Sequence, residues 1–600
     1  MKRHATTKVS IAEAERIDTD NGSYKSELRD GMRIDWDVPI RMDDGVVLRA
    51  DVYRPEAEAR YPVLMNYGPY AKGLPFQVGY PAQWQALERD HPDIMEGSSC
   101  KYQAWEAADP EKWVHHGYAC VRVDSRGAGR SEGYIDCFGP REVQDYYECI
   151  EWAARQPWSN EKVGLAGVSY YAMNQWQVAA KHPPHLAAIC PFEGASDFYR
   201  DAVRHGGILS TFWMRWYPLQ VTNVQHGVGT RGRTNPNTGE LIAGPETLPE
   251  DFLARQRADL PNDHLNHKLD DSWFRDRSPD LSAVEVPVLS CANIGGQGLH
   301  LRGNVEGFLQ AGSKHKWLEI HGLEHWTHFY TDYGRDIQKR FYDHFLKGID
   351  NGWEKQPRVL LQVRHVDRFV ERAEEEWPLA RTRWTKFYLD AETRSFDENA
   401  DVKSGSASFR AMEGQLTFWS EVLKEEIEIT GPAAAKLFIA SSTKDADVFV
   451  TLRAFASNGR EVLFAAAVDP NAPLTHGWLR ASHRKLDLER SLPYRPWHSH
   501  DEARQLTPSQ VYELDIEIWP TSIVLPKGYR LAFTIHGKDF DHGLPEPMPK
   551  IYGIPMRGCS VFLHDDPTDR APDIYNGETT VHTGGDRKSY LLLPIIPPKV

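Results

Sequence analysis

Residues 164–173 read GLAGVSYYAM and join an apolar segment to a sequence that predicts a helix. Residues 162–166 predict a buried strand, so Ser169 falls where the strand gives way to the helix. Gly167 has no Cβ and leaves room for a sharp turn, whereas Tyr171 replaces the second glycine of the common G-x-S-x-G pattern. We interpret the stretch as a strand–turn–helix that presents a serine nucleophile at the carboxyl end of a strand. A helix N-cap serine is the alternative.

The segments around this turn alternate between strand and helix patterns. Short apolar runs predict buried strands at 61–70, 117–124, 185–192, 286–294 and 314–322. Helical spacing of apolar residues predicts helices at 140–156 and 303–311. Two alternating runs around Asp43-Asp44-Gly45 predict a hairpin. This order predicts an α/β domain with a mostly parallel sheet covered by helices on both faces.

The composition argues against several classes of protein. The chain has 600 residues, of which 41% are apolar, and its net charge of −15 without a Lys/Arg-rich run argues against nucleic-acid binding. Its seven cysteines are scattered without a CxxC pair, which favours reduced thiols in a cytoplasmic protein. No apolar run has the length of a membrane span, and the first twenty residues lack the apolar core of a secretory signal. A homo-oligomer is compatible with the sequence.

The patterns predict several domains along the chain. Polar residues 1–31 predict an N-terminal arm, and the α/β domain is expected at 32–197 and 284–355. Between these parts, the aromatic and turn-rich segment 198–283 is interpreted as a helical cap inserted over the sheet. From 356 to 600 the pattern contains only strands, which indicates a C-terminal β-sandwich. In one of these strands Leu514, Ile516 and Ile518 share a face.

A serine hydroxyl needs a base to act as a nucleophile, and His325 is the strongest candidate for it. It follows the last predicted strand of the α/β domain in WLEIHGLEHWTH, and the order of serine before histidine is that of α/β-hydrolases. The backbone N–H of Tyr170, at the start of a helix, is a candidate oxyanion donor. His321, His325 and His328 do not have the spacing of a standard zinc motif, so we predict neither a metal nor a cofactor.

The chain resembles the cocaine esterase and X-prolyl dipeptidyl-peptidase family of serine hydrolases. The matching motifs are RMDDGVVLRADVYRP (41–55), NYGPYAKG (66–73), GVSYYAMNQW (167–176), VPVLSCANIGGQGLHLRGN (286–304), HGLEHWTH (321–328) and the segment 416–452. The resemblance implies an α/β-hydrolase domain, a helical cap and a C-terminal jelly-roll domain. It also implies that Ser169 is the nucleophile. The hydroxyl of Tyr70 is expected to join the N–H of Tyr170 in the oxyanion hole.

The sequence departs from the family pattern at the acid of the catalytic triad. The family has an aspartate in a turn after the penultimate strand, but the corresponding turn, 292–298, contains no carboxylate. Glu193 lies just past the strand at 185–192, on the same edge of the sheet as Ser169 and His325, so we predict that it replaces the aspartate. The weaker candidates are the carboxylates Asp197, Glu306 and Glu324 and the neutral amide of Asn293.

The sequence therefore predicts a serine hydrolase that cleaves an ester or amide bond of a small molecule through an acyl-enzyme intermediate. A carboxylesterase is favoured, because the use of Glu193 in the triad leaves no evident anchor for a substrate ammonium group. The alternatives are an X-prolyl or α-amino-acyl peptidase or acylase of the same fold and, in another class, a catalytically impaired binding protein. The aromatic residues expected to line the pocket are Tyr171, Trp213, Trp216 and Trp326.

Overall fold

The computed structural model describes residues 15–598, and the chain divides into two compact units. The first unit takes its described residues from Met1–Cys190, Gln220–Ala258 and Phe329–Asn351. The second unit takes them from Pro191–Leu219, Asp259–His328 and Gly352–Val600.

The strands are numbered in chain order. They are β1 Glu15–Thr19, β2 Gly22–Arg29, β3 Met32–Arg41, β4 Val47–Pro55, β5 Tyr61–Gly68, β6 Ala119–Asp124, β7 Ser159–Val168, β8 Leu186–Phe192, β9 Arg204–His205, β10 Ile208–Leu209, β11 Val288–Asn293, β12 Lys316–His321, β13 Val359–Arg364, β14 Phe369–Glu374, β15 Arg383–Asp390, β16 Ser395–Asp397, β17 Gly405–Arg410, β18 Gln415–Trp419, β19 Ile427–Ser441, β20 Asp447–Phe455, β21 Glu461–Val462, β22 Thr475–Arg480, β23 Tyr512–Leu525, β24 Arg530–His536, β25 Lys550–Ile551, β26 Ile554–Pro555, β27 Glu578–Thr583 and β28 Tyr590–Ile596.

The helices are numbered in the same way. They are α1 Phe76–Gly79, α2 Pro81–Asp90, α3 Pro110–Val114, α4 Pro140–Ala154, α5 Tyr170–Ala179, α6 Phe212–Trp216, α7 Glu250–Arg255, α8 Leu260–Asn266, α9 Ser272–Arg275, α10 Leu301–Gln310, α11 Asp332–Lys347 and α12 Pro572–Tyr575. Short 3₁₀ turns occur at Pro92–Met95, Thr222–Val224, Gly229–Arg231, Leu281–Ala283, Trp353–Lys355 and Ala481–His483, and π turns at Phe198–Val203 and Tyr217–Val221.

In the first unit the sheet runs in the order β1-β2-β3-β4-β6-β5-β7-β8. Strands β1 to β4 pair antiparallel, β4 pairs antiparallel with β6, and β5 pairs parallel with both β6 and β7. The interior strands β5 and β6 are buried almost throughout, as expected for strands covered on both faces, and α4 and α5 pack against β7. The hairpin predicted around Asp43-Asp44-Gly45 is confirmed, because β3 and β4 flank this turn.

The N-terminal arm predicted for residues 1–31 is wrong in the part that the structure describes, and residues 1–14 lie outside the described chain. Residues 15–29 form β1 and β2, and β2 pairs antiparallel with β3. Most of their side chains are exposed or half-buried. The backbone hydrogen-bond ladder therefore holds these strands, and their sequence lacks the apolar alternation that would have predicted them.

In the second unit β11, β12 and β13 run parallel, and β14 returns antiparallel to β13. Helix α10 connects β11 to β12 and packs on both, which confirms the strand–helix–strand predicted for 286–322. The C-terminal β-sandwich was expected from residue 356, but β13 and β14 extend the sheet of β12. The pattern of residues 359–374 predicts strands, but a local pattern does not specify the sheet that a strand joins.

An all-β domain in the second unit begins at β15. Its strands run in the order β17-β27-β19-β23-β22-β20-β24-β18-β16-β15-β28, and β28 also pairs with β19. This second pairing closes the sheet on itself, which leaves few free strand edges. The shared apolar face predicted for one strand is confirmed, since Leu514, Ile516 and Ile518 of β23 all lie in the core.

The helical cap predicted as one segment, 198–283, differs from the observed structure. Residues 220–258 belong to the first unit, whereas the flanking residues belong to the second. The helices of this segment, α6 to α9, are 4 to 7 residues long, and most of the intervening chain consists of turns. The cause is the glycine, proline and asparagine content of residues 227–248, which favours turns over helices.

All seven cysteines are buried thiols outside any disulfide, as the scattered spacing predicts. Across residues 15–598, none of the helices combines the length and the apolarity that crossing a membrane requires.

Candidate active site

In the first unit Ser169 occupies the turn between β7 and α5. Its backbone has φ +59° and ψ −115°, a conformation that non-glycine residues rarely adopt and that is found mainly at functional sites. Ser169 stands at the N-cap position of α5, but its side chain makes no capping hydrogen bond. This geometry argues against the N-cap interpretation and agrees with a nucleophile elbow.

The residues around Ser169 explain why this turn needs small neighbours. A Cβ at Gly167 would lie 2.4 Å from the Cβ of Tyr171, and Gly167 itself has φ +151°. Gly68, at the end of β5, has a similar constraint, since a Cβ there would lie 2.5 Å from the ring of Tyr171. The backbone N–H of Val168 donates to the carbonyl of Glu106 and fixes the end of β7. The second tyrosine of the motif thus fills the space that both glycines leave.

Tyr70 lies in the loop after β5, and the structure brings it close to the tyrosines that follow Ser169. Its buried ring is 5.9 Å from that of Tyr170 and 5.4 Å from that of Tyr171, both edge to face. Two residues further on, the backbone N–H of Lys72 donates to Asp124 Oδ1 at 2.6 Å, and its Nζ lies 3.0 Å from a carboxylate oxygen of Asp51. These buried charges anchor the Tyr70 loop.

The side chain of Tyr170 has a structural partner of its own. Its hydroxyl donates to Glu142 Oε2 at 2.5 Å, and the same oxygen accepts the backbone N–H of Phe138 at 2.6 Å. Burial raises the pKa of Glu142 to about 8. The hydroxyl of Tyr170 is therefore engaged in the core, which leaves its backbone N–H, at the start of α5, as the group suited to an oxyanion.

In the second unit Glu193 and His325 form a buried pair. Glu193 directly follows β8 with φ +51°, and its backbone N–H donates to the carbonyl of Cys291 at 2.7 Å. Its Oε2 accepts a hydrogen bond from Nδ1 of His325 at 2.9 Å. His325 follows β12, and its backbone N–H donates to Ala467 of the all-β domain at 2.8 Å. This is the relation that the acid and base of a triad require.

The charge on Glu193 is strongly stabilised. Burial alone would raise its pKa, but the neighbouring rings of His325 and His321 outweigh burial and lower the pKa of Glu193 to about 2. The carboxylate therefore remains ionised through the whole range in which a histidine base works.

The other candidates for the acid have different partners. The amide of Asn293 donates to Glu193 Oε1 at 3.2 Å and to the carbonyl of Leu323 at 2.9 Å, so it supports the acid. The carboxylates of Asp197, Glu306 and Glu324 accept hydrogen bonds from Arg200, Arg495 and Thr327 respectively. The turn at 292–298 is packed tightly, since a Cβ at Gly295 would lie 2.6 Å from the Cα of Ala466.

Two further residues of the site, Glu319 and His321, were not assigned a role from the sequence. His321, at the end of β12, contacts Glu319 Oε2 through Nδ1 at 2.7 Å and Glu193 Oε1 through Nε2 at 3.0 Å. His300 stacks on His325 with ring centroids 5.0 Å apart. The alternation of Glu319 and His321 in WLEIH could have indicated two polar side chains on one face of a buried strand.

Three side chains of this site meet the distance condition for binding a metal ion. Ligand atoms of Glu193, His300 and His325 lie within 4.8 Å of one another. However, Nδ1 of His325 and Oε2 of Glu193 are 2.9 Å apart, which is a direct hydrogen bond rather than two ligands on either side of an ion. We therefore interpret the group as a hydrogen-bonded acid–base site.

The four aromatic residues expected to line the pocket are all almost completely buried. Trp213 and Trp216 lie together in the second unit with ring centroids 4.9 Å apart, and Nε1 of Trp213 donates to the carbonyl of Ala202 at 2.7 Å. Trp326 follows His325 in the same unit, whereas Tyr171 packs on Tyr70 in the first unit. Their contact with substrate remains a prediction.

Comparison with known proteins gives two family matches that together span most of the chain. Residues 44–330 match the profile of the X-Pro dipeptidyl-peptidase (S15 family). Residues 351–592 match that of the X-Pro dipeptidyl-peptidase C-terminal non-catalytic domain.

Individual relatives match over nearly the full length. The crystal structure of a CocE/NonD family hydrolase from Staphylococcus aureus is 30% identical with a TM-score of 0.81, and the match covers 98% of this chain and 99% of that one. A putative serine esterase of Mycobacterium tuberculosis is 25% identical over 87% of this chain and 94% of its own length. The cocaine esterase of a Rhodococcus species is 24% identical over 93% of this chain and 98% of its own length.

Proposed function

Because this chain belongs to the family of hydrolases that includes the X-Pro dipeptidyl-peptidases (S15 family) and the CocE/NonD hydrolases, we propose that it works through a Ser169–His325–Glu193 triad. The protein is a serine hydrolase with esterase or peptidase activity. We assign the three catalytic residues, including an acid in an unusual position for the family.

The proposed reaction is a two-step acyl transfer. Ser169 attacks the substrate carbonyl carbon, and Nε2 of His325 takes its proton, since Nδ1 is bonded to Glu193. The Tyr70 hydroxyl and the Tyr170 backbone N–H stabilise the oxyanion. His325 then protonates the leaving group, and water attacks the acyl-enzyme with the same residue as base.

The observation that carries this proposal is the hydrogen bond between Glu193 and His325. A carboxylate on Nδ1 fixes the ring tautomer and stabilises the imidazolium formed during attack. Glu193 makes this contact at 2.9 Å, is fully buried, and has a pKa lowered to about 2 by the neighbouring histidine rings. It therefore supplies the acid that is missing from the turn at 292–298, and it favours an active enzyme over an impaired binding protein.

For the substrate we favour a carboxylic ester of a small molecule over a peptide. An aminopeptidase or α-amino ester hydrolase needs a carboxylate to bind the substrate ammonium group. Within the second unit, both oxygens of Glu193 accept hydrogen bonds from side chains of the protein, Oε1 from His321 and Asn293 and Oε2 from His325. Glu193 is thus engaged in the site and is a poor ammonium anchor.

The fold and the cellular setting are part of the same proposal. The parallel strands with helices between them, and the serine after β7, support an α/β-hydrolase domain, and the closed β-sheet supports a C-terminal jelly roll. Seven buried cysteines outside any disulfide support a compartment that keeps thiols reduced, such as the cytoplasm.

The experiment compares kcat/KM for three substrate classes that share a chromogenic leaving group: short-chain acyl esters, α-amino acyl esters and Xaa-Pro anilides. We expect the acyl esters to have the highest kcat/KM and the Ser169→Ala variant to hydrolyse none of them above the blank rate. A preference for Xaa-Pro anilides would reject the esterase assignment. Full activity of Ser169→Ala would reject the proposed nucleophile.

A further inference from the structure

His321 is a fully buried histidine whose two ring nitrogens both face carboxylates. Nδ1 lies 2.7 Å from Glu319 Oε2, and Nε2 lies 3.0 Å from Glu193 Oε1. The side chains of His321 and Glu193 are 0% exposed and that of Glu319 is 1% exposed. An ionised carboxylate only accepts hydrogen bonds, so two carboxylates on one ring require both nitrogens to donate. The arrangement therefore fits an imidazolium between two ionised glutamates.

The backbone explains how these three side chains meet. Glu319 and His321 are two residues apart on β12, so their side chains project from the same face of the strand. In the neighbouring parallel strand, Asn293 is the register partner of His321. Glu193 is held close to this strand, because its backbone N–H donates to Cys291 of β11 at 2.7 Å. The elements that fix His321 are thus the ones that fix the proposed acid.

The hydrogen bonds divide the two oxygens of Glu193 between different tasks. Oε1 accepts from His321 Nε2 at 3.0 Å and from the Asn293 amide at 3.2 Å. Oε2 accepts from His325 Nδ1 at 2.9 Å. A carboxylate bound in this way on Oε1 cannot rotate without breaking two hydrogen bonds, which keeps Oε2 directed at His325.

We propose that His321, held by Glu319, is a positioning residue that fixes the carboxylate of Glu193 on the ring of His325. The inference rests on the proposed function, in which Glu193 is the acid of the triad. It assigns His321 a place behind the acid, without contact with the reacting atoms.

The charges around the ring support this assignment. Burial alone would lower the pKa of His321, but Glu319 and then Glu193 outweigh burial and raise the pKa of His321 to about 9. The other titratable groups that face this cluster in the second unit are His328, whose ring centroid is 5.2 Å from that of His321, and His325 with His300 beyond Glu193. None of these outer groups carries a fixed negative charge, so the two glutamates dominate.

The arrangement also explains how a relocated acid is tolerated in a fully buried place. Two buried carboxylates without a cation between them would repel each other and lose their hydration, which is unfavourable. With an imidazolium between them, the three groups carry one net negative charge. A single aspartate gives an ordinary triad the same net charge. In both cases His325 or its equivalent contacts one ionised carboxylate.

The first test is a double-mutant cycle on kcat with the ester substrate. In Glu319→Gln and His321→Gln we expect kcat to fall about 10- to 100-fold with little change in KM, as substitutions of outer hydrogen-bonding partners typically cause. If His321 acts through Glu193, adding His321→Gln to Glu193→Gln should lower kcat no further. A residue with a merely structural role would instead lower kcat in both backgrounds.

A matched control is His205→Gln, which alters another fully buried histidine of the second unit. His205 contacts His564 and the carbonyl of Asp201 and has no hydrogen bond to Glu193. We expect its kcat to stay near that of the wild type. A loss equal to that of His321→Gln would overturn the inference, because it would show that any buried histidine has the same effect.

A second readout is independent of turnover. In protein labelled with ¹⁵N-histidine, we expect His321 to give two ring N–H resonances at pH 7, both absent from His321→Gln. A single ring N–H from His321 would overturn the inference, since a neutral ring cannot donate to both glutamates.

The outcomes separate this inference from the proposed function. If Glu193→Gln retains wild-type kcat, Glu193 is not the acid and the proposed function is wrong in that assignment. If Glu193→Gln loses activity while Glu319→Gln and His321→Gln keep it, only the positioning role of His321 is rejected.

Discussion

At the scale of single residues, the account depends on the position of one carboxylate. The turn at 292–298 has no acid, and Gly295 within it has no room for a side chain. Glu193, on a different strand, makes the hydrogen bond to His325 that the missing aspartate would make. The proposed triad therefore depends on where the carboxylate oxygens lie in space more than on the chain position that supplies them.

The low pKa of Glu193, about 2, has a consequence for the pH dependence of catalysis. Because this pKa lies well below the usual histidine value of about 6.5, we expect Glu193 to stay ionised while the base titrates. The acidic limb of kcat/KM should then follow a single protonation, that of the base. We expect a limiting slope of one on a logarithmic plot. A slope of two within the range in which the protein stays folded would indicate that Glu193 titrates as well.

The hydroxyl of Tyr70 gives the second prediction at this scale. Tyr70→Phe should lower kcat about 10²- to 10³-fold with a small change in KM, because an oxyanion donor acts mainly in the transition state. Tyr146→Phe is the matched control, since the hydroxyl of this buried tyrosine makes a long hydrogen bond of 3.4 Å to the carbonyl of Met65. Steady-state kinetics of both variants with an acyl ester decide the matter. Equal activity of the two variants would remove Tyr70 from the oxyanion hole.

At the scale of elements, the turn between β7 and α5 is the most constrained part of the first unit. Gly167→Ala places a Cβ 2.4 Å from that of Tyr171 at a backbone φ of +151°. We expect it to lower the free energy of unfolding by about 2 kcal/mol and to displace Ser169. Gly405→Ala in β17 is the control, because its Cβ would meet no atom closer than 3.7 Å. Urea unfolding of both variants tests this, and equal midpoints would contradict it.

The elements also show which parts of the fold can be predicted from the sequence. Apolar runs with clear periods correctly predicted β5 to β8, β11 and β12, since burial on both faces leaves a strong local pattern. The polar strands β1 and β2 were not predicted, because backbone hydrogen bonds hold them in the sheet and their side chains show no apolar alternation. Strands β13 and β14 were expected in the wrong sheet, because sheet membership depends on contacts distant in sequence.

For the candidate site, the sequence predicts Ser169 and His325 from motifs next to strands, and Glu193 from its place after a strand. These three assignments remain proposals. The proposed role of His321 could not be derived from the sequence, because Glu319 and His321 form an ordinary polar pair on a strand until the position of Glu193 is known. Only the geometry of β11 and β12 brings these three side chains together.

At the scale of the whole molecule, buried histidines limit stability in acid. Eight fully or almost fully buried histidines of the second unit have a pKa below the usual value, chiefly because burial disfavours the charged ring: His205, His264, His300, His476, His483, His498, His500 and His536. The pKa is about 3 for His205 and about 4 for His476. These rings are neutral in the folded protein at pH values where they are charged in the unfolded chain.

The sign of the effect follows from proton binding. Between pH 6.5 and about 4 the unfolded state binds more protons than the folded state. Each such histidine therefore lowers the free energy of unfolding by about 1.4 kcal/mol for each unit by which the pH falls. We therefore expect the urea midpoint to fall steeply from pH 7 to pH 5. His205→Gln should reduce this slope by the equivalent of one proton. A midpoint that does not change over this range would contradict the expectation.

The central claim is tested most directly by the rate at which a fluorophosphonate labels the protein, with the modified residue identified by peptide mass spectrometry. The account predicts stoichiometric labelling at Ser169 in the wild type. It predicts labelling slower by up to about 10⁴-fold in Glu193→Gln, as when the acid of a triad becomes a neutral amide. Label on a residue other than Ser169, or equal labelling rates for the wild type and Glu193→Gln, would contradict it.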